Sequence, residues 1–196
     1  MIRYVLGLAA IVVFFVSCAP RFPEITDPSK RLNIVSGVSV LPPQEPEWHI
    51  LGMTQSQLAL AKGGQLFGES YATVVWSYDL PHLDTEQDFL KVVSEGWAAD
   101  PRAGRFTNMK HEENLVRGRG AVCVHFHVVS DDNAAQLGTE RKFMVMESIG
   151  YHCQHPKNRH IGVRLEYSHR HFPGNDDPAM EAKANAFLDQ VQFTDF

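Results

Sequence analysis

Between residues 163 and 167 the apolar positions fall at Val163, Leu165 and Tyr167, with Arg164 and Glu166 alternating between them. A period of two belongs to a half-buried β-strand. The stretches 160–172, "HIGVRLEYSHRHF", and 140–151, "ERKFMVMESIGY", are therefore predicted strands. So are "EWHILG", "SQLALAKGG" and "SYATVVWSYDL" further upstream. The run 105–129 reads as two strands joined around Arg117 to Gly120, where the glycines supply a tight turn.

A period near four replaces this alternation twice. In "DTEQDFLKVVSEGWAAD" Phe89, Val92, Val93 and Trp97 form one apolar stripe, with Asp84 as N-cap and Gln87 reciprocating. In "GNDDPAMEAKANAFLDQVQF" Asp177 caps and Pro178 takes the first helical position. Met180, Ala184, Phe187, Leu188 and Val191 are the buried stripe. The order is strands, helix, strands, helix, with turns too short for parallel crossovers. This predicts an α+β domain: an antiparallel sheet of six or seven strands with two amphipathic helices packed on it.

The N-terminus follows another pattern. Arg3 precedes a thirteen-residue apolar and small-residue run from Tyr4 to Val16, shorter than the ~20 residues that span a bilayer. It fits the apolar region of a secretory signal. The following "FVSCAP" resembles the lipobox of bacterial lipoproteins, with Val16, Ser17 and Cys18 matching and Phe15 in place of leucine. The resemblance implies a signal over 1–17 and acylation of Cys18. Ala19, where inner-membrane members carry aspartate, implies the outer membrane facing the periplasm. Two other readings stand beside it: cleavage after Ala19 with release of a soluble protein, or an uncut anchor.

Residues 18–47 hold six of the eleven prolines and are expected to form an extended tether, with the globular domain spanning 48–196. Within that tether "RLNIVSGVSVL" has strand-forming residues able to dock on a sheet.

Three cysteines change the picture. If Cys18 is lipidated, Cys123 and Cys153 remain as one pair, and an exported domain lives where disulfides persist. A simple hairpin between 121–129 and 141–151 would leave Cys153 several residues past the position opposite Cys123. Bridging then requires the chain to turn back after Gly150, or the two strands not to be neighbours.

Charge and motifs narrow the function. A net charge of −5 without basic runs disfavours nucleic acid as a partner. There is no Gly-x-Ser-x-Gly elbow, phosphate-cradling loop or dinucleotide fingerprint, so no catalytic residue is assigned and no cofactor is expected. A cysteine hydrolase would need Cys123 or Cys153 free, against the exported setting. The adjacent acidic pairs Asp131–Asp132 and Asp176–Asp177 read as loop formers and caps.

Eight of ten histidines lie between His111 and His171. His125 and His127 share a strand face, and His152, His155, His169 and His171 are further donors that a copper or zinc site would need to converge. Their spacing matches no metal motif, so no metal ligand is assigned, and an envelope metal binder is the alternative reading.

Finally, Cys153, His155 and Pro156, followed by Tyr167, Ser168 and Arg170, resemble turn and strand-end motifs of small proteobacterial lipoproteins of unknown function. With the element order, 48–196 resembles a PsbP-like α/β/α sandwich, which implies a binding or assembly module rather than an enzyme. The expected protein is thus a non-enzymatic lipoprotein, held to the bilayer by its acylated cysteine and engaging an envelope partner.

Overall fold

The computed structural model describes residues 22–34, 36–98, 104–118, 120–133 and 143–195. Cys18 and the apolar run before it lie outside the described residues.

Among the described residues ten strands and two helices follow in the order β1 (Leu32–Ile34), β2 (Val38–Val40), β3 (His49–Met53), β4 (Gln57–Gly63), β5 (Ser70–Asp79), α1 (Glu86–Ala98), β6 (Phe106–Gly118), β7 (Ala121–Asp132), β8 (Met144–His155), β9 (Asn158–His171), α2 (Met180–Leu188) and β10 (Gln192–Phe193). Strands β3 to β9 form one seven-stranded sheet in the order β3-β4-β5-β9-β8-β7-β6, and every pairing in it is antiparallel. Strands β1, β2 and β10 form a small second sheet. This is the α+β architecture the hydrophobic pattern predicts.

Alternation along the strands splits the large sheet into two faces. Tyr71 and Val75 of β5, Ile149 and Cys153 of β8, and Val163, Leu165 and Tyr167 of β9 point to one face. There they meet Met180, Ala184, Phe187 and Leu188 of α2, and Ile34, Val38 and Val40 of the small sheet. The opposite face is packed by α1, where Phe89 and Val93 bury against Val124 and Leu80.

Three expectations change. The domain begins well before Trp48, because the proline-rich run is packed and paired. Ile25 donates to the Trp48 carbonyl, Ile50 donates to that of Pro23, and the Arg31 guanidinium donates to the Gln190 carbonyl. Proline bars helix but leaves the short stretches between prolines free to pair as strands. The α1 cap sits one residue later than predicted. Thr85 Oγ1 accepts from the Asp88 amide at 3.1 Å, and Asp88 Oδ2 accepts from the Thr85 amide at 2.9 Å, a reciprocal capping box. Asp177 Oδ1 accepts from the Ala179 amide, but helical geometry starts only at Met180.

The third change concerns the bridge. Neither predicted route is taken. Strand β8 runs past Gly150 to His155, so Cys153 stands directly opposite Cys123 in the β7–β8 register. The two are disulfide-bonded with α-carbons 4.0 Å apart. Because β7 continues to Asp132, which pairs with Met144 at the start of β8, the register is shifted from that of the predicted hairpin and sets Cys153 opposite Cys123.

Candidate functional site

The floor of the site is built from glycine facing aromatic rings. On the α1 face Phe126 of β7 lies opposite Gly150 of β8, and Tyr78 of β5 lies opposite Gly162 of β9. A Cβ added at Gly150 would come 2.1 Å from the Leu165 carbonyl oxygen and 2.6 Å from the Phe126 ring. One added at Gly162 would come 2.4 Å from the Tyr78 ring. Only glycine lets these rings lie flat against the sheet.

Helix α1 packs over β6 and β7, leaving β5 and β9 open beside it. The result is a cleft of about 770 Å³, within the ~300–1,000 Å³ range of small-molecule sites. Helix α1 supplies Val92, Val93 and Trp97 to one wall, and β5 supplies Val74, Trp76 and Tyr78 to the other. Trp76 keeps 45% of its surface exposed, a large apolar ring turned toward solvent.

Two charges of the cleft neutralise each other. The Arg164 guanidinium reaches Glu166 Oε2 at 2.7 and 2.9 Å, both residues projecting from the same face of β9. The guanidinium also stacks 4.6 Å from the Trp97 ring centre and 5.3 Å from that of Phe126. Beside it Tyr78 Oη lies 2.9 Å from His152 Nδ1. His152 packs against Phe126 and Trp97, and its Nε2 has no hydrogen-bond partner among the described residues. Burial, then the Arg164 cation, depresses His152 to about 3, and burial pushes the Tyr78 phenol above its ordinary range.

The histidines singled out by sequence do not converge. Because β8 alternates, His152 projects to the α1 face, whereas His125, His127 and Cys123 project to the other. His127 Nε2 lies 2.8 Å from Glu147 Oε1, and the His125 ring packs 5.1 Å from that of Tyr151. His155 is fully buried. Its Nδ1 accepts from the Lys157 amide, so its Nε2 carries the proton donated to the Gly37 carbonyl at 3.0 Å. Both its nitrogens are thereby engaged in joining the end of β8 to the β1–β2 turn.

His169 stacks on Tyr71 at 4.1 Å and on His171 at 4.7 Å. Tyr71 donates to Asp177 at 2.7 Å, and Lys183 of α2 donates to the same carboxylate, so this stack ties α2 to the sheet. Burial opposes ionisation of Asp177, but the Lys183 and Tyr71 hydrogen bonds prevail and hold it at about 2. Among the described residues no group of three or more His, Cys, Asp or Glu is placed to hold a metal ion.

Sequence reasoning did not find the cleft. Arg164 and Glu166 read as the solvated side of an alternating strand, and Gly150 and Gly162 carried no meaning before the register set aromatic rings opposite them. The available signal was the aromatic pair Trp76 and Tyr78, two residues apart and hence on one face. No protein-family model matches the chain, and no curated protein matches its sequence.

Proposed function

We propose that this protein is a lipid-anchored binding module of the bacterial cell envelope, held by Cys18 and facing the periplasm, whose α1 cleft receives a ligand without transforming it. The observation that carries the binding role is the chemistry of the cleft. It offers aromatic and apolar walls, yet Arg164 and Glu166 neutralise each other, the carboxylate of Asp79 sits exposed at the margin, and His152 and Tyr78 are held uncharged at pH 7 by shifts in opposite directions. A proton-transfer catalyst at neutral pH needs the reverse. The Cys123–Cys153 bridge supports export, because such bonds persist in oxidising compartments. The C-terminal motif around Cys153 and Tyr167 supports kinship with small lipoproteins of the PsbP-like type.

Replacing Cys18 with serine is expected to move the protein from the membrane to the soluble fraction and to remove a lipid adduct from its mass. Wild-type protein lacking that adduct refutes the anchor. For the cleft, anilinonaphthalene sulfonate, a flat aromatic anion, is expected to brighten on binding. Equal brightening in Trp76→Asp would remove the cleft from consideration.

A further inference from the structure

We infer that the edge of the sheet carrying Phe22, Leu51 and the β4–β5 loop lies against the bilayer in which Cys18 is anchored, an inference that rests on the lipoprotein reading above. Two independent observations meet there. The first is reach. Three residues separate Cys18 from Phe22, and a chain spans at most ~3.3–3.6 Å per residue, so Phe22 stands within about 14 Å of the acylated position. From Phe22 the chain runs directly into pairing with β3, with Glu24 bridged to His49 and Pro23 accepting from Ile50. The domain therefore has no long leash, and whichever edge holds Phe22 faces the lipid.

The second observation is what that edge displays. Phe22 and Leu51 are each about half exposed, at 50% and 44%. They border a shallow hollow together with Gly63 and Ser70, the residues from which the β4–β5 loop departs and to which it returns. On that loop Leu66 is 46% exposed and Phe67 is 95% exposed. This is the most exposed large apolar side chain among the described residues.

The loop presenting Phe67 is braced from within. Glu69, only 5% exposed, accepts from the Leu66 amide at 3.0 Å through one carboxylate oxygen. Through the other it accepts from the Phe172 amide and the Asn175 side chain. Its backbone carbonyl accepts from the Gly64 amide, and Gly68 adopts φ 94°, a backbone that glycine alone takes without strain. A buried carboxylate thus holds an aromatic ring out from the surface. An exposed phenylalanine on a braced loop loses nothing on meeting water-poor headgroups, whereas in bulk water its apolar area stays hydrated. A domain with net negative charge gains little from anionic headgroups, so contact falls to these apolar side chains.

The test uses the full chain, acylated and reconstituted into phosphatidylethanolamine–phosphatidylglycerol vesicles, with mass spectrometry confirming the lipid on Cys18. With Cys123 and Cys153 joined, Phe67→Cys supplies the single reactive thiol for an environment-sensitive fluorophore. Met109→Cys, exposed on β6 at the opposite edge, is the reference. The label at 67 is expected to shift to the blue and to be quenched by a nitroxide-bearing lipid, while the label at 109 stays accessible to aqueous iodide. An acylated protein in which both labels behave alike overturns the inference and leaves the anchor standing. An unacylated Cys18 overturns both. In Cys18→Ser without vesicles the label at 67 is expected to remain aqueous; a blue shift there assigns the edge to a second copy of the chain and overturns the lipid contact.

Discussion

The two faces of the seven-stranded sheet are made by the same strands, yet one is sealed and the other is left open. On the sealed face α2, the small sheet and the proline-rich segment together cover β4, β5, β8 and β9, and Val163, Leu165 and Tyr167 are buried almost completely. Polar groups there are committed to architecture: Tyr71, Asp177 and Lys183 clamp α2, and His155 binds the β1–β2 turn. On the other face, among the described residues, helix α1 covers the β6–β7 side, and a cleft remains over β5 and β9. The proposed binding surface is thus a product of incomplete coverage, with glycine and aromatic residues finishing the exposed floor.

Truncation to alanine on the two faces gives the largest expected difference. Leu165→Ala, on the sealed face, is expected to cost about 2–5 kcal/mol. Val74→Ala, half-buried in the cleft wall, is expected to cost under about 1 kcal/mol. Urea unfolding of both variants decides it, and equal losses would mean the cleft wall is as much core as the sealed side.

Next in size is the bridge, which lies on the sealed face and closes a loop with a sequence separation of 30 residues. Replacing both Cys123 and Cys153 with serine is expected to lower stability by about 3–4 kcal/mol on the chain-entropy argument. Thermal unfolding with and without reductant, with the serine variant insensitive to reductant, checks the attribution.

The third comparison uses pH, with one depressed histidine on each face. His152 on the open face is held at about 3, and His169 on the sealed face at about 4, burial being the main cause for both. Each folded value lies below the unfolded one near 6.5, so protonation favours the unfolded chain. Their contribution is complete above pH 6.5 and is lost as pH falls toward the folded values. Half-buried His125, shifted the same way by burial, adds in that direction. The loss approaches ~1.4 kcal/mol per pH unit per histidine below 6.5, or about 2 kcal/mol each at pH 5. His152→Phe and His169→Phe should each flatten part of the pH 6.5–4.5 slope. That window lies above the folded range of Asp177, whose depressed carboxyl withdraws stability only at lower pH.

The smallest effect sharpens the account of the floor. Gly162→Ala forces the Tyr78 ring off the sheet and is expected to cost about 1–3 kcal/mol, together with loss of the Tyr78–His152 hydrogen bond. An unchanged unfolding midpoint would show that the ring does not depend on the missing side chain.

Much of the fold was legible in the sequence because period is a local property. The stripe Met180, Ala184, Phe187, Leu188 and Val191 is buried as its spacing predicts, and the alternation at 163–167 gives a strand with its apolar side inward. Cysteine parity gave the bridge. Its geometry is not legible, because "YHCQH" reads as polar and turn-like, whereas β8 continues through it, buries Cys153, Gln154 and His155, and takes a register set at its other end by Asp132 and Met144. His155 is accommodated there in part because the carbonyl of Gly37, 118 residues earlier in the chain, accepts its hydrogen bond. No local pattern encodes such a partner.

The candidate site was less legible for the same reason. The order of the main strands and the two helices, and which side of each is apolar, could be read from the chain alone, since those follow from neighbours a few positions away; the end of β8 and the pairing of the proline-rich run could not. Only the tertiary structure decided which strands stand side by side, and therefore that Gly150 faces Phe126, Gly162 faces Tyr78, and the clustered histidines part to opposite faces. Register across a sheet depends on contacts between residues distant along the chain, and a one-residue slip exchanges the faces.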